Sequence, residues 1–289
     1  MNRTVVVTGA TSGLGAEVTR ALAAAGHRVI MACRDPVRAR TVAESIGGDL
    51  EVRALDLADL ASVRSFAAGL DGEVDVLVNN AGVMGVPRAT TADGFEQHIG
   101  VNHLAAFALT GLLLDRVRDR VVTVTSGLHR LGRISTDLNW ERRRYRRWLA
   151  YGQSKLANLL FAYELQRRLT ADGRRVISVA AHPGVAATEG QRRDTSLSGR
   201  ILAGGRAQPP EAGALPLLYA ATAPGVTGGT LIGPDGRLQR NGRPAVVSSS
   251  RRSHDAALAA RLWHRSAELT GVHYLDQCTA CTGATRIAP

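Results

Sequence analysis

The chain has 289 residues, is 45% hydrophobic and 21% charged, and carries a formal net charge of +11. That composition describes a soluble globular chain with a sizeable core, and no run approaches the 18 consecutive apolar residues of a membrane span. The charge alone would allow a nucleic-acid partner, but the arginines are dispersed apart from one cluster at 142–147. Aromatic residues make up only 4%, which leaves little to stack on exposed bases.

Short apolar, β-branched runs at 4–7, 29–32, 51–55, 74–78, 121–125 and 176–180 alternate with Ala- and Leu-rich helical patterns at 14–25, 60–70, 95–114 and 154–169. Buried parallel strands read in this way. The alternation predicts a single α/β domain over 1–289, a doubly wound parallel sheet of Rossmann type with helices on both faces. The first strand runs into Gly9, Gly13 and Gly15 and then a helix, a turn in which glycine lets the backbone approach a pyrophosphate at a helix N-terminus. The second strand ends in Arg34 and Asp35. An arginine there suits the 2′-phosphate of NADP, while Asp35 turns outward or caps the next helix.

The third strand closes on Asp56 and Leu57, with Asp56 either accepting from an adenine amino group or capping the following helix. The fourth ends in Asn79 and Asn80, buried amides that need partners; one is expected to pin backbone and the other to touch cofactor. Asn102 falls inside the long helical pattern, where asparagine is unfavourable without a reason. Beyond residue 185 the chain is less regular, and 185–240 is expected to cover the substrate end. A helical pattern follows at 254–269, then an irregular tail at 271–289. Cys278 and Cys281 in that tail form a lone C-x-x-C without the further ligands zinc needs, so no metal is expected. With Cys33 they form no disulfide framework, and with no signal peptide they fit a cytoplasmic location.

Of the 36 Lys and Arg residues, one is a lysine, Lys155, four positions after Tyr151. Residues i and i+4 share a helix face. A phenol ionises near ~10 in water, and a compact ammonium beside it favours the phenolate, which would tune Tyr151 as a proton donor. His98, His103, His129 and His182 are not at metal-ligand spacing and read as structural or solvated. The arginine cluster reads as solvated surface.

TGATSGLG (8–15), NNAG (79–82), the serine of VTVTSG (122–127), YGQSK (151–155) and HPGVAAT (182–188) resemble, in order, the motifs of the short-chain dehydrogenase/reductase family. ACRD, VNHLAAF, SGLHRLGRI and AYGQSKLANLLFAYEL further resemble its retinol-dehydrogenase-like and protochlorophyllide-reductase-like branch, and the segment after residue 230 resembles soluble bacterial members. The 25 positions from Ser126 to Tyr151 exceed the family's usual spacing but suit that branch.

The resemblance implies a catalytic set of Tyr151, Lys155, Ser126 and Asn102. Ser126 would bond the substrate oxygen, and Asn102 would hold a water linking Lys155 to solvent. It implies cofactor contacts from Gly9, Ser12, Gly13, Leu14 and Gly15, from Arg34, Asp56 and Leu57, and from Asn80, Ala81 and Gly82. Tyr151, Lys155, Pro183, Gly184 and Thr188 would meet the nicotinamide end. The function implied is NADPH-dependent reduction of an aldehyde or ketone, reversible as alcohol oxidation. The substrate would be a small molecule, with room for a bulky hydrophobic one, and neither nucleic acid nor membrane is a partner. A non-catalytic NADP-binding sensor on the same fold is the alternative. A homo-oligomer is compatible with the family, although the insertion before Tyr151 lies at one common helix-packing surface.

Overall fold

Layering is decided along β1 (Thr4–Thr8), where Val5 and Val7 belong to the core on one face of the sheet and Val6 to the core on the other. This is the two-residue period of a strand buried on both sides. The computed structural model describes residues 2–185 and 208–276. Among these, β1 joins β2 (Arg28–Cys33), β3 (Leu50–Ala54), β4 (Val74–Asn79), β5 (Val117–Val124), β6 (Ile177–Ala181), β7 (Leu231–Pro234) and β8 (Pro244–Val246) in one sheet. Its order is β3-β2-β1-β4-β5-β6-β7-β8, parallel except for β8, which pairs antiparallel with β7. The doubly wound parallel sheet expected from the sequence is therefore present. Strand order reverses between β1 and β4, so the loops leaving their carboxyl ends diverge and open a crevice there.

One face of the sheet carries α1 (Gly13–Ala24) and α2 (Pro36–Ile46). The other carries α3 (Leu60–Gly69), α5 (Ala105–Leu113) and α6 (Arg147–Ala171), with the single turn α4 (Gln97–Ile99) before α5. Two further helices complete the layers. Pro210–Thr222, here α7, packs against α1, and Ala256–Thr270, here α8, packs against α6. Trp263 of α8 meets the Phe107 ring edge-on at 5.0 Å, stacks on Phe161 at 5.9 Å and has the Arg168 guanidinium over it at 4.5 Å. No helix among the described residues is long and apolar enough to cross a membrane.

The region from 208 to 240 is more regular than its sequence suggests. Pro210, Gly213 and Pro216 read as breakers, yet Pro210 sits in the first turn of α7, where its missing N–H costs nothing, and Pro216 is buried within the helix. The turn-rich stretch that follows contains β7, which extends the sheet. β5 likewise begins four residues earlier than its apolar run, because buried Arg120 spends its guanidinium on the carbonyls of Ala220 (3.0 Å) and Ala223 (3.1 Å) at the end of α7 and on Asp119.

After β5 the chain makes a 3-10 turn at Gly127–Leu131 and then crosses α6 closely at Gly132. A Cβ on Gly132 would lie 2.3 Å from the Gly152 carbonyl oxygen and 2.8 Å from Leu156 Cβ. The obstacle is backbone, so it cannot swing aside. Gly132→Ala should lower the free energy of unfolding by about 1–3 kcal/mol in a urea titration, the usual range for overpacking; an unchanged midpoint would show that this crossing is loose.

Candidate active site

The crevice is built first by backbone. Gly9 (φ +66°) and Gly13 (φ +52°) use the left-handed region that glycine tolerates. A Cβ on Gly15 would lie 2.1 Å from the Gly9 carbonyl oxygen. Ser12 occupies the N-cap of α1 without making the usual side-chain cap bond, and no acidic residue lies in the first turn. The N–H groups at that end therefore lack intrahelical partners and face the crevice with the positive end of the helix. Leu14, beside them, packs on the core.

Arg34 emerges, exposed, directly after β2 and makes no hydrogen bond or ion pair among the described residues. Asp35 caps α2, accepting from Val37 and Arg38 N–H at 3.0 Å each. Asp56 accepts from Ala58 N–H at 2.9 Å, and Asp59, not Asp56, caps α3 through Ala61 N–H at 2.8 Å. The capping alternative for Asp56 is thus corrected; it closes a tight turn, with Leu57 buried beside it.

Both asparagines after β4 pin structure. Asn79 donates to the Thr110 hydroxyl at 2.9 Å, and Asn80 donates to the Thr8 carbonyl at 2.8 Å. Thr8 itself accepts from Asn80 and Ala81 N–H at 3.0 Å each, tying β1 to β4 at the floor of the crevice. Thr8 opens the glycine motif, but its partners lie over 70 positions away and sequence spacing carries no sign of them. Gly82 is exposed; a Cβ there would meet Asn102 Oδ1 at 2.9 Å and Lys155 Nζ at 3.4 Å.

Asn102 does not sit in an ordinary helix. Gly100–Leu104 is a π-turn, with Ala105 N–H reaching back to the Gly100 carbonyl. The turn aims the amide inward. Asn102 Oδ1 accepts from Val83 N–H at 2.7 Å, and Nδ2 donates to the Val83 carbonyl and the Ser154 hydroxyl at 2.9 Å each.

Tyr151 and Lys155 lie one turn apart near the start of α6, which begins at Arg147, several residues before its helical pattern becomes evident. The phenol is 6% exposed and lies near the Ser126 side chain; the ammonium is 4% exposed and donates to the Val124 carbonyl at 3.1 Å. Lys155 Nζ lies 5.7 Å from the centre of the Tyr151 ring. The expected depression of the phenol's pKa is not what this arrangement gives. Burial pushes Tyr151 up to about 12, with Ser126 acting the other way, and burial pulls Lys155 down to about 8. Desolvation outweighs the attraction because both groups are enclosed and the ammonium is aimed at a carbonyl of β5.

Pro183 and Gly184 follow β6, held in place by Arg240 through its carbonyl and the Val185 N–H at 2.9 Å. Thr188, Cys278 and Cys281 lie outside the described residues. His103, His129 and His182 bond Ser266, the Ser126 carbonyl and Gln239, and burial brings each down to about 4. Among the described residues no cluster of His, Cys, Asp or Glu is disposed to hold a metal ion. In the arginine cluster, Arg142, Arg144 and Arg146 are exposed, but Arg143 lies 3.6 Å over the Trp140 ring and donates to Gln153 at 2.6 Å.

A lysine whose pKa falls on folding weakens the fold at every pH where the folded side chain is charged. The penalty is complete below about 8, shrinks as pH rises from there toward the ordinary lysine value of 10.5, and vanishes above it. Val124 retains a second donor, Asn158 Nδ2 at 3.0 Å, if the ammonium is removed. Lys155→Met should therefore stabilise the protein by about 1–3 kcal/mol at pH 7, with the gain fading above about pH 8. Denaturation of both proteins across pH measures this, and a variant less stable than the parent at pH 7 would contradict it.

Comparison with known proteins places this geometry. Residues 3–197 match the family described as short chain dehydrogenase. The chain is 40% identical to Homo sapiens retinol dehydrogenase 13 over 93% of its length and 85% of the relative's. It is 42% identical to Mus musculus polyprenol dehydrogenase, over 93% and 84%. A crystal structure of an uncharacterized protein from Mycobacterium Paratuberculosis superposes with a TM-score of 0.83 at 50% identity, covering 94% of each chain. The chain therefore belongs to the short-chain dehydrogenase family, in its retinol-dehydrogenase-like branch, and is an NAD(P)-dependent oxidoreductase of alcohol and carbonyl groups.

Proposed function

We propose that the chain reduces aldehydes or ketones with NADPH, reversibly, and that Tyr151 supplies the proton. The observation that carries this reading is the buried phenol, set near Ser126, one helical turn from a buried ammonium at the mouth of the glycine crevice. Burial keeps Tyr151 protonated at neutral pH, the form a proton donor needs. The nicotinamide, when bound, supplies hydride to the carbonyl carbon.

The chain's own residues do the rest. The free N–H groups at the start of α1 would hold the pyrophosphate, and the backbone at Gly9 and Gly15 leaves no room there for a side chain. Arg34, exposed and unpaired among the described residues, would take the 2′-phosphate; Asp35 is committed to its helix and competes little. Asp56, Leu57, Ala81 and Gly82 would border the adenosine and ribose, and Pro183, Gly184 and Thr188 the nicotinamide. Ser126 would donate to the substrate oxygen as negative charge develops on it. Tyr151 passes its proton to that oxygen, and the ammonium of Lys155 then favours the phenolate left behind. Because the Asn102 side chain is committed to Val83 and Ser154, a water relaying the proton past Lys155 would be held by the main chain of the π-turn. The relatives named for retinol and polyprenol make apolar, isoprenoid-like aldehydes and ketones the substrates to try first.

NADPH consumption against a panel of such carbonyls tests the reaction. Tyr151→Phe should lower the rate at least ~10²-fold while NADPH still binds; a much smaller loss rejects Tyr151 as donor, and NADPH binding with no carbonyl consumed would favour a sensor. Arg34→Ala should weaken NADPH binding by ~10-fold or more and leave NADH nearly unchanged. Equal losses for both would remove the assignment of Arg34.

A further inference from the structure

The ring of Tyr151 is held by more than its own helix. At the start of α4, the carboxylate of Glu96, 1% exposed, collects four donors: the N–H groups of His98 and Ile99 at 3.0 Å each, the Tyr145 hydroxyl at 3.0 Å and His98 Nδ1 at 2.7 Å. Burial alone would raise this carboxyl, but the hydrogen bond from His98 and the two backbone donors bring it below the usual range. Val86 N–H donates to His98 Nε2 at 3.3 Å. Nε2 therefore carries no hydrogen, and the ring's proton sits on Nδ1 facing Glu96, a tautomer assigned from the bonding network. The imidazole, fully buried, is fixed at both nitrogens.

The fixed imidazole meets the Tyr151 ring edge-on, with centroids 6.0 Å apart and planes at 66°. Trp148, three residues earlier on α6, meets the same ring at 6.2 Å and 87°. Trp148 is itself seated on Gly85, where a Cβ would lie 2.9 Å from its Cη2 atom. Tyr145, three residues before Trp148, fastens the arginine-rich insertion to Glu96 and to the Val86 carbonyl at 3.3 Å. The segment after β4 thus supplies one wall of the phenol's cage directly and braces the other.

We propose that Glu96, His98, Tyr145 and Trp148 form a clamp that fixes the ring of Tyr151, with His98 and Trp148 as positioning residues and Glu96 as their anchor. The consequence for catalysis rests on the reading of Tyr151 as proton donor. A donor must stand within hydrogen-bond reach of the oxygen it protonates, and displacement by about 1 Å costs on the order of 10²-fold in rate. Edge contacts on two sides resist the swing of the whole ring about the Cα–Cβ bond that would carry the hydroxyl away; flips about Cβ–Cγ leave the hydroxyl on its axis and report how tightly the ring is held.

Tyrosine ring dynamics and kinetics test the clamp together. The chain has five tyrosines, so ring-labelled protein gives few NMR signals, and Tyr151→Phe identifies the one that matters. In the parent, the two sides of the Tyr151 ring should give separate resonances; in His98→Ala they should merge. The same variant should lose ~10-fold or more in kcat, counted per NADPH-binding site, with NADPH affinity within about twofold of the parent. His98→Phe, which restores an aromatic edge without the Glu96 bond, should recover most of that kcat even where it lowers Tm. If the His98 variants do not fold, Trp148→Leu, a change at a half-buried position, must show the same merging and loss. A Tyr151 ring already averaged in the parent, or unchanged in the variants, overturns the clamp, as does a kcat per site equal to the parent's. A parent that reduces no carbonyl refutes the proposed reaction instead, and the ring dynamics still decide the clamp.

Discussion

Lys155 carries the chain's one lysine ammonium into a site where it is 4% exposed, and its surroundings are arranged to keep it there. Its charge faces the Val124 carbonyl, its own carbonyl accepts from the Thr125 hydroxyl at 2.8 Å, and Gly82 leaves room for it where any side chain would intrude. An arginine would place a wide planar fork in that space, and among the described residues no carboxylate pairs with the charge. Burying an unpaired ammonium costs stability, and the large apolar layers on both faces of the sheet absorb that cost. The cost is retained where it is of use: a cation below a phenol, beside a turn that admits a dinucleotide.

The same logic explains why so many polar groups around the site are committed to structure. Thr8, Asn79, Asn80 and Asn102 all spend side-chain hydrogen bonds on joining strands, turns and helices at the carboxyl ends of β1 and β4. Each pins backbone in the crevice and leaves its floor rigid. Among the described residues, the groups a cofactor would meet are left without protein partners: the N–H groups opening α1 have no intrahelical acceptors, and the Ser12 hydroxyl and the Arg34 guanidinium make no hydrogen bond. The division between committed and free polar groups is the clearest mark of where a ligand belongs.

Much of this was legible in the sequence, and the exceptions have physical reasons. Six strands of the parallel sheet announce themselves as β-branched runs, and the glycine turn, Arg34 and the Tyr151–Lys155 pair are local in the chain, so spacing reveals them. The helix at 210–222 was hidden because Pro210 and the interior Pro216 read as breakers although tertiary packing carries the helix through Pro216, and β7 and β8 because three or four residues carry no period. The π-turn at Asn102 follows from tertiary packing, which sequence periodicity cannot show. Asp56 and Asp59 are both suitable caps, and only the turn between them decides which one serves. Spacing gives the cationic neighbour of Tyr151 but not the depth of burial, and here burial prevails and raises the phenol.

Because Lys155 stands alone of its kind, lysine labelled at its side-chain nitrogen yields one NMR signal, and the titration of that signal reads the central claim without interference. The account predicts a midpoint near 8 in the free protein. A midpoint near the ordinary 10.5 would mean that the ammonium reaches solvent and is not enclosed beneath the phenol.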